Sequence, residues 1–161
     1  MIETPQFRDA SVVMMYLSMP HEIDTSEAIL HAWQLGKMVV VPKIFWSDGH
    51  MLPVQIHSLE TDISVGVSGL KNPVKGEPMP FEEIDLVVAP GLGFDRNGNR
   101  LGRGGGYYDK FFAHHQLKAQ KCGFAFAEQM VENVPVNKHD ASVDFLVTDA
   151  EVIYLAQSEQ F

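Results

Sequence analysis

The chain has 161 residues, 45% of them apolar, with 12 Lys+Arg against 21 Asp+Glu and a formal net charge of −9. That length suits one domain with a substantial core, and the acidic balance argues against nucleic acid or an anionic membrane as partner. A single cysteine excludes an internal disulfide, no apolar run reaches the roughly eighteen residues of a membrane helix, and Met1-Ile-Glu-Thr-Pro5 has no secretory character, so a cytoplasmic protein is expected.

In chain order, a strand is predicted over Val12 to Leu17. A helix follows from Ser26 to Leu35, with Asp24 and Glu27 as a capping-box-like start and Gly36 as its stop. Ile29, Leu30 and Trp33 are expected on its inner face. Strands follow at Met38 to Val41, Met51 to Ile56 and Leu86 to Ala89. Between the last two, Gly66 to Pro80 is rich in Gly and Pro and reads as a long connection. A helix is predicted from Tyr107 to His115, a strand over Cys122 to Phe126, a short helix over Glu128 to Val131, and strands over Phe145 to Thr148 and Val152 to Leu155. Several strands are continuous apolar runs, as burial on both faces demands. Alternating β and α elements predict a three-layer α/β fold, a mostly parallel sheet with helices on both faces. Ligands then gather at the carboxyl ends of the strands. Cys122, in Lys121-Cys-Gly-Phe-Ala-Phe126, reads as a small buried hydrophobe.

The most informative stretch runs from Ala89 to Asp109. Seven glycines lie between Gly91 and Gly106, too many for core packing, and they let the backbone approach a ligand closely. Arg96, Arg100, Arg103 and Lys110 concentrate positive charge there in an otherwise acidic chain. Amides of Gly104, Gly105 and Gly106, a following helix start, and forked guanidinium groups together suit phosphate oxygens. Asp109 would repel those phosphates unless a Mg²⁺ ion lay between them. The duller alternative is a flexible loop with solvated arginines. No G-x-x-x-x-G-K-[ST] and no G-x-G-x-x-G is present, so the loop is neither a Walker nor a Rossmann motif.

Elsewhere, Glu22 is either a site carboxylate or a solvated loop residue. Asp140 is either a metal ligand or the head of an Asx turn. Of Tyr107 and Tyr108, one is expected to pack inward and the other to border a flat ligand. His114 and His115 read as surface residues on different helix sides. Phe45 and Trp46 read as hairpin packing ahead of a pocket wall, and Met14, Met15, Met19 and Met51 as core filling ahead of pocket lining. No Ser-His or Cys-His pair suggests a nucleophile.

Arg100-Leu-Gly-Arg-Gly-Gly-Gly-Tyr-Tyr-Asp109 resembles the signature of the 5-formyltetrahydrofolate cyclo-ligase (5,10-methenyltetrahydrofolate synthetase) family. Tyr16-Leu-Ser-Met-Pro-His-Glu-Ile-Asp-Thr25, Gly36-Lys-Met-Val-Val-Val-Pro42, and Val134-Pro-Val-Asn-Lys-His-Asp140 with Val143-Asp144 resemble further family elements in the same order. The resemblance spans residues 5–150. It implies an ATP- and Mg²⁺-dependent cyclisation of 5-formyltetrahydrofolate to 5,10-methenyltetrahydrofolate, releasing ADP and phosphate. It implies Arg100, Arg103 and Tyr107 as catalytic. It implies that Arg100, Leu101, Gly102, Arg103, Gly104, Gly105, Gly106, Tyr107 and Tyr108 line ATP. Leu17, Glu22, Arg103, Gly104, Gly105, Gly106 and Tyr107 would border the folate, and Asp109 and Asp140 would hold Mg²⁺.

Two departures stand out. Family members usually begin with a Lys- and Arg-rich helix that contributes an ATP contact, and the chain starts too late to contain it. The expectation is therefore a single domain over 1–161, monomeric, acting on two small molecules. A folate- or nucleotide-binding module with little turnover is the alternative, and a sugar-phosphate isomerase on a similar scaffold is a weaker one. Asn72-Pro73 also stands where many members have Glu-Pro.

Overall fold

The computed structural model describes residues 1–156; residues 157–161 of the expected 1–161 domain lie outside the described part. In chain order the elements are α1 (Pro5–Asp9), β1 (Val12–Met15), α2 (Ser26–Gln34), β2 (Met38–Phe45), β3 (His50–Gln55), β4 (Ile63–Val65), β5 (Lys71–Pro73) and β6 (Leu86–Ala89). Then come β7 (Gly93–Phe94), β8 (Arg100–Leu101), α3 (Tyr107–Phe112), β9 (Gln120–Phe124), β10 (Phe145–Val147) and β11 (Val152–Tyr154). Seven strands form one sheet in the order β11-β10-β9-β6-β1-β2-β3. The central pairings are all parallel, with Val13 beside Val39, Met14 beside Val87, and Val88 beside Cys122. β3 and β11 close the two edges antiparallel.

Alternation along these strands produces two cores. Val13, Met15, Val39, Val41 and Val88 face one side, where Phe7 of α1 and Ile29 and Ala32 of α2 cover them. Val12, Met14, Val40 and Val87 face the other, beneath Phe111 and Phe112 of α3. The architecture is the expected three-layer α/β sheet. Cys122 is fully buried in the first core, and burial pushes its thiol well above its ordinary value, so it is an inert apolar filler.

Several local expectations are corrected. Leu30 is 49% exposed, because the inner face of α2 centres on Ile29 and Ala32, with Trp33 at its margin. No capping box starts α2. The Thr25 hydroxyl donates to the Tyr16 carbonyl at 2.6 Å, and the Asp24 carboxylate accepts from the Ser26 amide at 2.8 Å. Helix α3 stops at Phe112, where His114 leaves the helix to stack on Phe81 with His115 stacked on it in turn. The segment expected as a helix over Glu128 to Val131 is a single 3₁₀ turn at Ala127–Gln129. The Gly66 to Pro80 connection is not structureless. It carries β5, which pairs with β4, and the Asn72 side chain accepts from the Ile44 amide at 3.0 Å and donates to the Ile44 carbonyl at 3.4 Å. A glutamate there, having no donor, would make only half of that exchange.

The early part of the glycine-rich stretch is also more structural than expected. It folds into the β7–β8 hairpin around Asp95, which is 1% exposed. Asp95 accepts from the amides of Asn97, Asn99 and Val134 and from the Asn99 side chain, all within 2.9–3.1 Å. Gly91 is a packing position, since a Cβ there would sit 2.9 Å from the Phe94 ring.

Burial alone would raise the Asp95 carboxyl, but its hydrogen bonds outweigh that and hold it below the ordinary aspartate value. Its contribution to stability is therefore complete above about pH 4 and is lost as the pH falls through the lower folded value. Asp95→Ala should cost about 3 kcal/mol, read from the urea midpoint, because the buried Val134 amide and the part-buried Asn97 and Asn99 amides lose their acceptor. Asp95→Asn should show a shallower loss of stability than the parent below about pH 4. Equal acid slopes in the two proteins would contradict the role assigned to the carboxylate.

Candidate functional site

The parallel strands β1 and β6 end level with one another while β2 runs on into its hairpin with β3, and the segments that leave them enclose a cleft of about 1010 Å³. The loop after β1 forms its floor. Tyr16 is buried, and its hydroxyl donates to the Ile23 carbonyl at 2.8 Å; burial and the nearby Glu22 charge keep the phenol protonated. The chain turns back at Glu22, whose Oε2 accepts from the Met19 amide at 2.9 Å while its amide donates to the Met19 carbonyl at 3.0 Å. Leu17 and Glu22 both line the cleft. Glu22 Oε1 faces the Arg103 guanidinium at 3.5 Å, which joins this loop to the glycine-rich one.

The glycine-rich wall runs from Pro90 and Gly91 across Arg100 to Gly106. Gly104 (φ +96°) and Gly106 (φ +68°) adopt left-handed backbone that other residues enter at a cost. Gly106 stands immediately before α3. At six residues α3 sums few peptide dipoles, so the separate amides of the loop, more than a macrodipole, carry its attraction for anions.

The arginines divide into three roles. Arg103 is half exposed and reaches over the cleft. The Arg100 side chain is only 5% exposed and lies behind the loop. Its Nη1 donates to the Pro90 carbonyl at 3.2 Å, Nη2 stands 3.8 Å from Asp109 Oδ1, and the guanidinium lies 5.1 Å above the Tyr108 ring centroid. Its Nε is buried without a protein partner among the described residues. Burial pulls the Arg100 value down while Asp109 pushes it up, and a guanidinium stays charged throughout. Arg96 belongs to neither group. It pairs with Glu151 at 2.6 Å and lies outside the cleft lining, which removes it from the expected cationic cluster.

Asp109 and Asp140 also line the cleft, Asp109 beside Arg100 at the start of α3. Asp109 Oδ1 accepts from the Ala141 amide at 3.2 Å, tying α3 to the segment that carries Asp140. Asp140 Oδ2 accepts from the Asn137 amide at 2.8 Å, three residues back, so Asp140 does not head an Asx turn; Asn137 does, its Oδ1 accepting from the His139 amide at 2.8 Å. Asp109 Oδ2 and Asp140 Oδ1 have no hydrogen-bond partner among the described residues. Nor does any group of three or more His, Cys, Asp or Glu there suit a metal. Two carboxylates with free oxygens, completed by phosphate and water, nevertheless match what Mg²⁺ takes from a protein.

Every residue that the family resemblance implies for the site lines this one cleft. Tyr108 is the inward-packed tyrosine, tucked against Arg100, and burial raises its phenol. Tyr107 faces the cleft. Met14, Met15 and Met51 are core, as expected, Met51 also reaching the cleft, whereas Met19 lines the cleft. The hairpin between β2 and β3 contributes more than its sequence suggests. Phe45 packs on His50, but Trp46 is turned into the cleft, edge-on to Tyr107 at 5.8 Å between centroids. Ile44, Lys71, Lys110 and His139 are further lining residues. Lys110 belongs to the cationic cluster expected from the sequence, whereas nothing in the local sequence distinguishes Ile44 and Lys71, which strand pairing brings in.

The model of the 5-formyltetrahydrofolate cyclo-ligase family matches residues 1–149. The chain is 33% identical over 160 residues to the 5-formyltetrahydrofolate cyclo-ligase of Mus musculus, covering 92% of this chain and 75% of that one. It is 31% identical over 156 residues to that of Escherichia coli (strain K12), covering 94% and 85%. The NMR structure of Aquifex aeolicus 5,10-methenyltetrahydrofolate synthetase superposes with a TM-score of 0.81 at 30% identity, over 99% of this chain and 79% of that one. The synthetase from Mycoplasma pneumoniae (TM-score 0.69, 20% identity, over 88% and 74%) shares the fold. The chain therefore belongs to the 5-formyltetrahydrofolate cyclo-ligase family.

Proposed function

We propose that this family member cyclises 5-formyltetrahydrofolate to 5,10-methenyltetrahydrofolate, consuming ATP with Mg²⁺ and releasing ADP and phosphate. The observation that carries the reading is a single cleft joining a glycine loop with cations, a pair of carboxylates and the Glu22 loop. The triphosphate lies along Arg100, Leu101, Gly102, Arg103, Gly104, Gly105, Gly106, Tyr107 and Tyr108. The folate lies against Leu17, Glu22, Arg103, Gly104, Gly105, Gly106 and Tyr107. The Glu22 carboxylate has the two acceptor oxygens that paired N–H donors of a pterin need. Asp109 and Asp140 hold Mg²⁺, which neutralises phosphate charge when bound.

The formyl oxygen attacks the γ-phosphorus and the bond to the ADP oxygen breaks. N10 then adds to the activated formyl carbon and loses its proton, and the carbon–oxygen bond breaks to release inorganic phosphate. Every covalent change takes place between the substrates, so no protein nucleophile is needed. The chain's work is alignment and charge stabilisation. Arg103 is mobile enough to leave Glu22 for the transferring phosphoryl group. Arg100, held from behind, stiffens Pro90 and Asp109 and offers a charge that never leaves.

Incubation with 5-formyltetrahydrofolate, Mg²⁺ and ATP should produce the methenyl chromophore, and omission of ATP should abolish it. Firm binding of both ligands without product would instead identify a binding module. Arg103→Ala should lower turnover on the order of a hundredfold; near-normal turnover would refute its assignment. Asp109→Asn and Asp140→Asn should each raise the Mg²⁺ concentration for half-maximal rate roughly tenfold or more. An unchanged Mg²⁺ profile in both would remove the metal site from this wall.

A further inference from the structure

The β2–β3 hairpin holds a large aromatic surface over the cleft for which the roles above provide no use. Trp46 is 57% exposed although it sits at the mouth of an enclosed, mainly apolar space. Free indole surface of this kind is unfavourable in water unless something covers it. Its position is not left to chance. The Gly49 amide donates to the Phe45 carbonyl at 3.0 Å, closing the turn. Lys110 of α3 donates to the Gly49 carbonyl at 2.9 Å, latching the hairpin tip to the far wall. Phe45 and His50 stack at 4.9 Å at the base of the turn. The Trp46 and Tyr107 rings meet at 82°, an open corner that leaves one indole face toward the cleft.

The order of the sheet decides which flat group reaches that corner. Along the carboxyl edge the loop after β6 comes first, then the loop after β1, then the β2–β3 hairpin. With phosphates on the first and the pterin on Glu22 of the second, the hairpin flanks the pterin on the side where Tyr107, placed against the folate above, meets Trp46. The flat group attached on that side of the folate is its p-aminobenzoyl ring. Resting on the functional reading above, the geometry points to Trp46 as the residue that stacks on the p-aminobenzoyl ring and so fixes N10 over the formyl carbon. Trp46 is then a determinant of folate affinity and not of nucleotide affinity.

Calorimetric titration of the parent, Trp46→Ala and Trp46→Phe with 5-formyltetrahydrofolate, and separately with Mg·ATP, tests this without needing turnover. Trp46→Ala should weaken folate binding on the order of tenfold, from lost stacking and coverage, and leave Mg·ATP unchanged. Trp46→Phe should recover most of the loss. Equal weakening of both ligands, weakening of Mg·ATP alone, or no change in either would overturn the assignment. A parent protein that does not bind 5-formyltetrahydrofolate at all would sink the functional reading itself, and this assignment with it. Because Trp46 is exposed, an unaltered thermal midpoint is expected for both variants and separates lost stacking from lost structure.

Discussion

The Asp95 carboxylate, almost wholly withdrawn from solvent, accepts from the amides of Asn97, Asn99 and Val134 and from the Asn99 side chain. Three of these bonds close the β7–β8 hairpin from whose far strand the glycine loop departs. The fourth anchors the segment that runs on to Asn137 and Asp140. Two walls of the cleft, separated by more than thirty residues of sequence, are therefore hung from one charge. A buried anion is costly unless its acceptor capacity is filled. Here three of the four donors are main-chain amides, which cannot swing away. The consequence is a loop rich in glycine that is nevertheless rigid at its root.

Charge is distributed on the same principle. The protein carries a formal −9, yet Lys71, Arg100, Arg103 and Lys110 converge on one concavity with Glu22, Asp109 and Asp140 interleaved among them. Mixed signs in a partly enclosed site hold each other ready. Arg103 rests on Glu22, and Arg100 faces Asp109. An anion entering the cleft exchanges a weak, half-exposed ion pair for its own contact with Arg103, so little is lost when the pair opens. Arg100 is different. Its guanidinium is desolvated and held by Pro90, Asp109 and the Tyr108 ring, and moving it would leave a buried charge unpaired.

The parallel sheet was legible because its strands are buried on both faces and read as unbroken apolar runs such as Leu86–Ala89. The site was legible where chemistry is local. Gly104 to Gly106 and Asp109 are adjacent in sequence, and the backbone they form is determined by the residues themselves. What was not legible depends on pairing between distant segments. Leu30 lies outward because the face of α2 that meets the sheet centres on Ile29 and Ala32. Trp46 looked like hairpin packing because only the latch from Lys110 to Gly49, sixty-one positions away, turns it inward. Arg96 and Arg100 are alike in composition and context, yet one pairs with Glu151 on the outside and the other is sealed beneath the loop. The glycines mislead for the same reason: Gly91 serves Phe94 before it serves any ligand.

Under the proposed reaction, the lack of a nucleophile and the abundance of positioning elements have a common origin. A transfer from ATP to a formyl oxygen needs two large, flexible molecules brought to within bonding distance, and most of the barrier available to a protein is the cost of that encounter. Each substrate accordingly has its own sheet-borne loop: backbone amides after β6 for the phosphates, a carboxylate after β1 for the pterin, and an aromatic hairpin after β2 for the ring joined to that pterin. The loops do not share hinges. Beyond the Arg103–Glu22 pair and the Lys110–Gly49 latch, they share the sheet beneath them, whose strands are held in register by Val13–Val39 and Met14–Val87 pairing. Alignment of the substrates is thus set by the same hydrogen bonds that make the sheet, and a cleft of this kind is as precise as its core is well packed.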